Sequence, residues 1–144
     1  MPTAQMGIVT VGGRPVVQHN GDPAPGYYIS TTSYQREGLA ITDPDRYLDS
    51  ATEMFIVLPK HWWTMMPGIV LGCRATVLDS LTGREAECIV GDFGPRNHIG
   101  EGSIALAKFF GLNADPKRGG VESKRFTYTF YPGLSVPGYE LQPA

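Results

Sequence analysis

Glycine and proline punctuate this chain from end to end, with 18 glycines and 12 prolines among 144 residues, against average usages of about 7% and 5%. Proline lacks a backbone donor and clashes with the preceding helical turn, while glycine loses the most backbone freedom on ordering, so neither suits a helix interior. Long helices are thereby excluded. The pattern predicts a mainly β fold of short strands and tight turns, with space for one short helix. The chain length suits one domain around one core. We expect that domain to span residues 1–144, with residues 1–20 as an N-terminal arm and residues 133–144 as an irregular tail.

Charge and residue usage remove several function classes. A net charge of -2 with twelve dispersed basic residues does not attract a phosphate backbone, so no nucleic-acid partner is expected. The longest apolar run, Met54 to Pro59, falls far short of the roughly 20 residues that span a bilayer, so no membrane association is expected. No Gly-x-Ser-x-Gly elbow, phosphate loop or dinucleotide fingerprint occurs, which leaves acyl transfer and nucleotide chemistry without support. His19, His61 and His98 lack metal-ligand spacing, so neither a metal nor another cofactor is expected. Cys73 and Cys88 are too few for a disulfide framework. A hairpin turning at Gly83 does not place them opposite each other, and we expect buried free thiols.

Along the chain, Ile8 to Val11 and Pro15 to Gln18 alternate weakly and read as a strand or arm before the turn cluster Gly21 to Gly26. Tyr27 to Ser33, aromatic and β-branched, reads as a strand. Pro44 can open one helical turn. Met54 to Leu58, continuously apolar and stopped by Pro59, reads as a central strand buried on both faces. Ile69 to Leu78 and Glu85 to Asp92 read as the arms of a hairpin around Asp79 to Arg84. Ser103 to Phe110 is the one good helix, with Ser103 as its cap and Gly111 at its end. In Arg125 to Tyr131, Phe126, Tyr128 and Phe130 fall on one face of a closing strand. There is no internal repeat.

The segment Gly91 to Ser103 holds the most chemistry. It sets Asp92 at a strand end and Glu101 just before the helix, joined by a short glycine-rich loop. Cleaving a glycosidic bond requires two carboxyl groups, one protonated to donate to the leaving oxygen and one ionised to activate water or attack carbon. The same two acids can equally serve as acceptors for turn and helix-start amides. Spacing alone does not choose between these readings.

Val90-Gly91-Asp92-Phe93-Gly94-Pro95 followed by Ile99-Gly100-Glu101-Gly102-Ser103-Ile104-Ala105-Leu106-Ala107 resembles the active-site region of glycoside hydrolase family 75, the chitosanases. Asp22 to Ser33, Asp45 to Asp49, Phe55 to Pro59, Gly119-Gly120 and Phe130 to Gly133 resemble further segments of that family, so the resemblance covers most of residues 20 to 134. It implies endo-hydrolysis of β-1,4-linked glucosamine polymers with inversion, and it carries the catalytic pair onto Asp92 and Glu101. Glu101 is then expected as general acid and Asp92 as general base, although a glutamate beside a helix N-terminus has its anion favoured, which opposes the acid role. Burial against Phe93 or Trp62 would offset that effect.

A broader resemblance links Gly68 to Gly72, the hairpin, Val90 to Pro95 and Ile104 to Leu112 to the double-psi β-barrel of expansins and of lytic transglycosylases related to rare lipoprotein A. It implies a small six-stranded double-psi β-barrel with one short α-helix. Gly100-Glu101-Gly102-Ser103 departs from the Ile-Asp-Leu-Ser usual there, which favours the chitosanase-like reading.

For substrate binding, Trp62 and Trp63 can stack on the C–H face of a sugar while His61 hydrogen-bonds it, or they can fill the core and cover its end. His98 lies between the two acids. Thr31, Thr32 and Tyr28 suit a polar groove wall, within a run whose strand propensity explains them equally well. Lys60 can pair with Asp92 and keep it ionised, or remain an ordinary surface lysine. The expected partner is a polysaccharide, chitosan or a related amino-sugar polymer, taken by a monomer. The alternatives are a peptidoglycan-cleaving enzyme of the same barrel type and a non-catalytic expansin-like polysaccharide binder. Met1 to Gly13 lacks the basic start and apolar centre of a secretory signal. We expect secretion with the leader removed or by another route, and otherwise a cytoplasmic location.

Overall fold

The structure, a computed structural model, describes residues 3–8, 32–41, 43–61, 66–94, 101–114 and 121–143, with the backbone alone at 3–8, 44 and 121–124. Its elements are β1 (Thr3–Ile8), β2 (Phe55–Pro59), β3 (Arg74–Asp79), β4 (Glu85–Gly94), the two-residue β5 (Glu101–Gly102), helix α1 (Ile104–Phe109) and β6 (Val121–Tyr131), plus one 3-10 turn at Pro44–Arg46. The fold is mainly β with one short helix, and its sheet is strongly curled. The strands pair in the order β1–β5–β2–β4–β3–β6, and β6 also runs antiparallel to β1. Only β1 with β5 and β2 with β4 pair in parallel.

The curl gives the sheet two faces, which the period-two alternation of its strands fills differently. Its concave side holds Ile56 and Leu58 of β2, Ala75 and Val77 of β3, Ala86, Cys88 and Val90 of β4, and Phe126 and Tyr128 of β6, packed with Leu106 and Phe110 from α1 and the turn after it. Phe126 and Tyr128 are fully buried, and rings of this size each contribute on the order of 2 kcal/mol through the surface they remove from water. The convex side near β2 carries Phe55, Val57 and Ile89, covered by Tyr34 and Leu48, with Val136 and Tyr139 from the tail against them. Strand β2 is therefore buried on both faces, as its unbroken apolar run predicts.

Several local expectations match. Ser103 caps α1, its side chain accepting a hydrogen bond from the Leu106 N–H. The hairpin pairs Ala75 with Cys88, so Cys73 lies out of register with it, and both thiols are free and buried. Residues 133–143 form turns and irregular chain. They nevertheless pack firmly, through a bridge between Leu71 and Gln142 and an edge-on contact of Tyr139 with Tyr34, ring centroids 5.8 Å apart.

Other expectations need correction. The first hairpin arm begins at Arg74, because Gly72 adopts φ 82°, a left-handed conformation that ends a strand and suits only glycine. A Cβ there would also collide with the Glu140 carbonyl of the tail. The strand read over Tyr27 to Ser33 lies outside the described residues up to Thr31, and Thr32 and Ser33 are not in a strand. The Thr32 hydroxyl donates to the Tyr34 carbonyl at 2.7 Å and accepts from the Leu48 N–H at 3.1 Å. That exchange satisfies the backbone locally in place of a ladder. In the segment read as a strand or arm, Thr3–Ile8 is a strand of the sheet. Among the described residues, no helix is long and apolar enough to cross a membrane.

Candidate active site

Strand β4 changes phase at Gly91. Ile56 pairs with Val90 but Val57 pairs with Asp92, so Gly91 is one residue too many for its partner strand. Such a bulge turns the following side chain to the opposite face from the one strict alternation assigns. Without it, Asp92 would follow Cys88 and Val90 to the concave core. With it, Asp92 shares the convex face with Val57, while Phe93 pairs with Leu58 and packs against the concave core. Glycine is required at the bulge because the neighbours close in. A Cβ at position 91 would lie 2.6 Å from Leu48 Cδ1 and 2.7 Å from Phe55 Cβ.

On the other side of β2, Val57 pairs with Glu101. Asp92, Val57 and Glu101 therefore form one row across three strands, and registered partners place their side chains on one face. Two strand spacings separate the acidic positions, about 10 Å between backbones. Glu101 is half-buried, two residues ahead of the Ser103 cap of α1. The row continues to Gly7 of β1, which pairs with Glu101.

Asp92 is 8% exposed. Its Oδ1 accepts from the Ser33 N–H at 2.9 Å, the Ser33 hydroxyl at 2.7 Å and the Phe93 N–H at 2.9 Å. Burial pushes the Asp92 carboxyl above its ordinary range, and the hydrogen bonds from Ser33 and Phe93 only partly offset this. A buried carboxyl favours its neutral form because the charge loses its hydration. That direction opposes the role of standing base expected for Asp92 and fits a proton donor.

Ser33 is the contributor that the sequence does not single out. It sits in a run of hydroxyls that reads as a generic groove wall, and nothing in that run indicates that both its donors meet an acid 59 positions later. The segment is held there by the Tyr34 N–H, which donates to the Gly91 carbonyl at 3.0 Å. The bulge and the serine are thus tied to each other.

The other expected site residues divide between two groups. Tyr28, Thr31, Trp62, Trp63 and His98 lie outside the described residues. Thr32 is 2% exposed and spends its hydroxyl on backbone groups, so it supports the loop and does not form a groove wall. His61 is exposed in the turn after β2. Lys60 is also exposed, with its N–H donating to the Gly94 carbonyl at 3.2 Å. The side chain of Lys60 is not among the groups that hold Asp92, whose donors are Ser33 and Phe93; of the two readings of Lys60, the ordinary surface lysine fits.

In comparisons with known proteins, no family model matches this sequence and no curated protein matches it.

Proposed function

We propose that this protein is a glycoside hydrolase that cleaves β-1,4-linked amino-sugar polymers, of which chitosan is the simplest, with inversion at the anomeric carbon. The observation that supports this reading is the row in which Val57 separates Asp92 from Glu101 on one face. Inverting enzymes leave about 6.5 to 9.5 Å between their carboxyl groups for a water molecule, and two strand spacings between the backbones, about 10 Å, are compatible with that gap. The resemblance to glycoside hydrolase family 75 points the same way and rests on the quoted segments.

In this mechanism Asp92 is the general acid. Three donors fix Oδ1, so Oδ2 holds the proton that burial favours. As the bond from the anomeric carbon to the glycosidic oxygen breaks, that oxygen takes the Asp92 proton. Glu101, as carboxylate, removes a proton from water on the opposite face of the sugar, and the resulting hydroxyl bonds to the anomeric carbon. The start of α1, with its partial positive charge, suits an anion at Glu101. The roles are thus the reverse of those expected from sequence. For the fold, we read the strand order and its two parallel pairings as a closed six-stranded double-psi β-barrel.

The test is release of reducing ends from chitosan. Wild-type protein is expected to release them, and Asp92→Asn and Glu101→Gln to lose about a thousandfold in kcat. Full activity in either variant rejects the pair. Turnover of purified cell-wall sacculi in place of chitosan rejects the substrate, and tight oligosaccharide binding without any product rejects the enzyme.

A further inference from the structure

One carboxylate outside the row of acids ties three segments together. Glu53 lies in the turn that leads into β2, with its side chain mostly buried, and both of its oxygens are committed. Oε1 meets the Arg36 guanidinium in an ion pair and accepts from the Tyr139 hydroxyl of the tail at 3.0 Å. Oε2 accepts from the Asp49 N–H at 2.6 Å, and the Glu53 N–H donates to the Asp49 carbonyl at 2.8 Å. Burial and the Glu53 charge push the Tyr139 hydroxyl up to about 12, so it stays a donor throughout the neutral range. Glu85 and Glu87 of β4 share a cleft with Glu53, and Glu87 has its own partner in Arg74.

Two of these segments lead to the two acids. Arg36 stands three residues after Ser33, whose N–H and hydroxyl hold Asp92 Oδ1, and Tyr34 between them donates to the Gly91 carbonyl. Asp49 stands one residue before Ser50, which is fully buried and serves the start of α1. The Ser50 hydroxyl accepts from the Ile104 N–H at 2.9 Å, and the Ser50 carbonyl accepts from the Ala105 N–H at 2.8 Å. Glu101 lies three residues ahead of Ile104. We propose that Glu53 is a positioning residue for both acids: it fixes the segment that carries Ser33 against the turn that carries Ser50, and so sets Asp92 relative to Glu101. A carboxylate suits this task better than a neutral amide, because hydrogen bonds to an ionised group are about twice as strong.

The inference rests on the hydrolase reading for the roles of the acids, and its test reads their placement without turnover. Amide hydrogen exchange and the carboxyl titration of Asp92 are followed by NMR in the full chain, as wild type and as Glu53→Gln, which keeps the shape and loses the ion pair. The amides of Ser33, Tyr34, Ile104 and Ala105 are expected to exchange about tenfold faster together. Asp92 is expected to titrate higher, because the Ser33 donors favour its anion. Charged groups on the elements around Asp92 are Glu101 on β5, Lys60 and His61 after β2, and Arg36 and Glu37 beyond Ser33, but burial, Ser33 and Phe93 set its direction. Added to Ser33→Ala, Glu53→Gln should therefore move the Asp92 titration no further. Wild-type exchange at the four amides overturns the proposal even if the thermal midpoint falls, and so does acceleration of only one of the two pairs. Should Glu53→Gln not fold, Arg36→Lys keeps the charge and loses the planar fork; it is expected to speed exchange at Ser33 and Tyr34, and unchanged exchange there overturns the proposal. Chitosan hydrolysis is scored separately. Its absence in the wild type overturns the hydrolase reading, whereas unchanged exchange alongside hydrolysis that depends on Asp92 and Glu101 overturns only the role of Glu53.

Discussion

At Asp92, two influences act on one carboxyl, and burial outweighs the hydrogen bonds. A carboxyl with a raised folded value binds protons more tightly folded than unfolded, so its ionisation works against stability as pH rises from its ordinary value, 3.8, through the raised one. Asp92→Asn keeps an oxygen for the three donors and removes the titrating group whose folded value is raised. It should therefore raise the thermal midpoint at pH 7 by a few degrees while abolishing activity, with the gain vanishing near pH 3. A lower midpoint at pH 7 would show that burial does not outweigh the hydrogen bonds at Asp92. Ser33→Ala removes a donor that favours the anion, so the loss of activity on the alkaline side should shift to higher pH. An unshifted profile with a uniformly lower rate would leave Ser33 only a structural part. The two acids are legible in the sequence because strand end, loop and helix cap are local. Ser33 is not, because its role depends on a contact between distant segments.

The elements differ in the same way. Strand β2, the second hairpin arm, α1 and the alternating part of β6 are legible because their apolar periods match the faces they bury. The bulge at Gly91 is not, since it exists only relative to the register of β2. Gly91→Ala forces a Cβ against Leu48 and Phe55, and overpacking of this kind costs about 2 kcal/mol. Denaturant titration should show that loss. Activity should fall further than stability accounts for, because Leu48 and Phe55 lie beneath the segment that carries Ser33. The strand assignment before Arg74 fails for a comparable reason: the conformation of Gly72 answers to Glu140 of the tail, far along the chain and absent from any local window.

For the molecule as a whole, one ion pair ties the hairpin to the last strand. Arg125 donates through Nε to Asp79 Oδ1 and through a terminal nitrogen to Oδ2, both at 2.6 Å, and Leu81 and Thr82 add further hydrogen bonds to the same carboxylate. The Arg125 guanidinium holds the Asp79 carboxyl down at about 2. A depressed folded value means this stabilisation is complete above the ordinary value of 3.8 and is lost as pH falls toward about 2. Asp79→Asn should lower the thermal midpoint by about 5 °C or more at pH 7, with the difference closing below pH 3. A difference that persists there would assign the loss to the turn and not to the charge.

The pairing of the two-residue strand also sets an order of assembly. Glu85 to Ile89 of β4 can form early, because they fold back on β3 through a short turn, whereas Asp92 lies beyond that pairing and takes its place only against β2. Glu101 acquires its place only when β2 and β1, from far earlier in the chain, have closed on both sides of it. Closures of such long loops are slow compared with a hairpin. Asp92 and Glu101 are thus brought onto one face only by the long-range closures, so a chain with its hairpin formed still lacks the row that joins the two carboxyl groups.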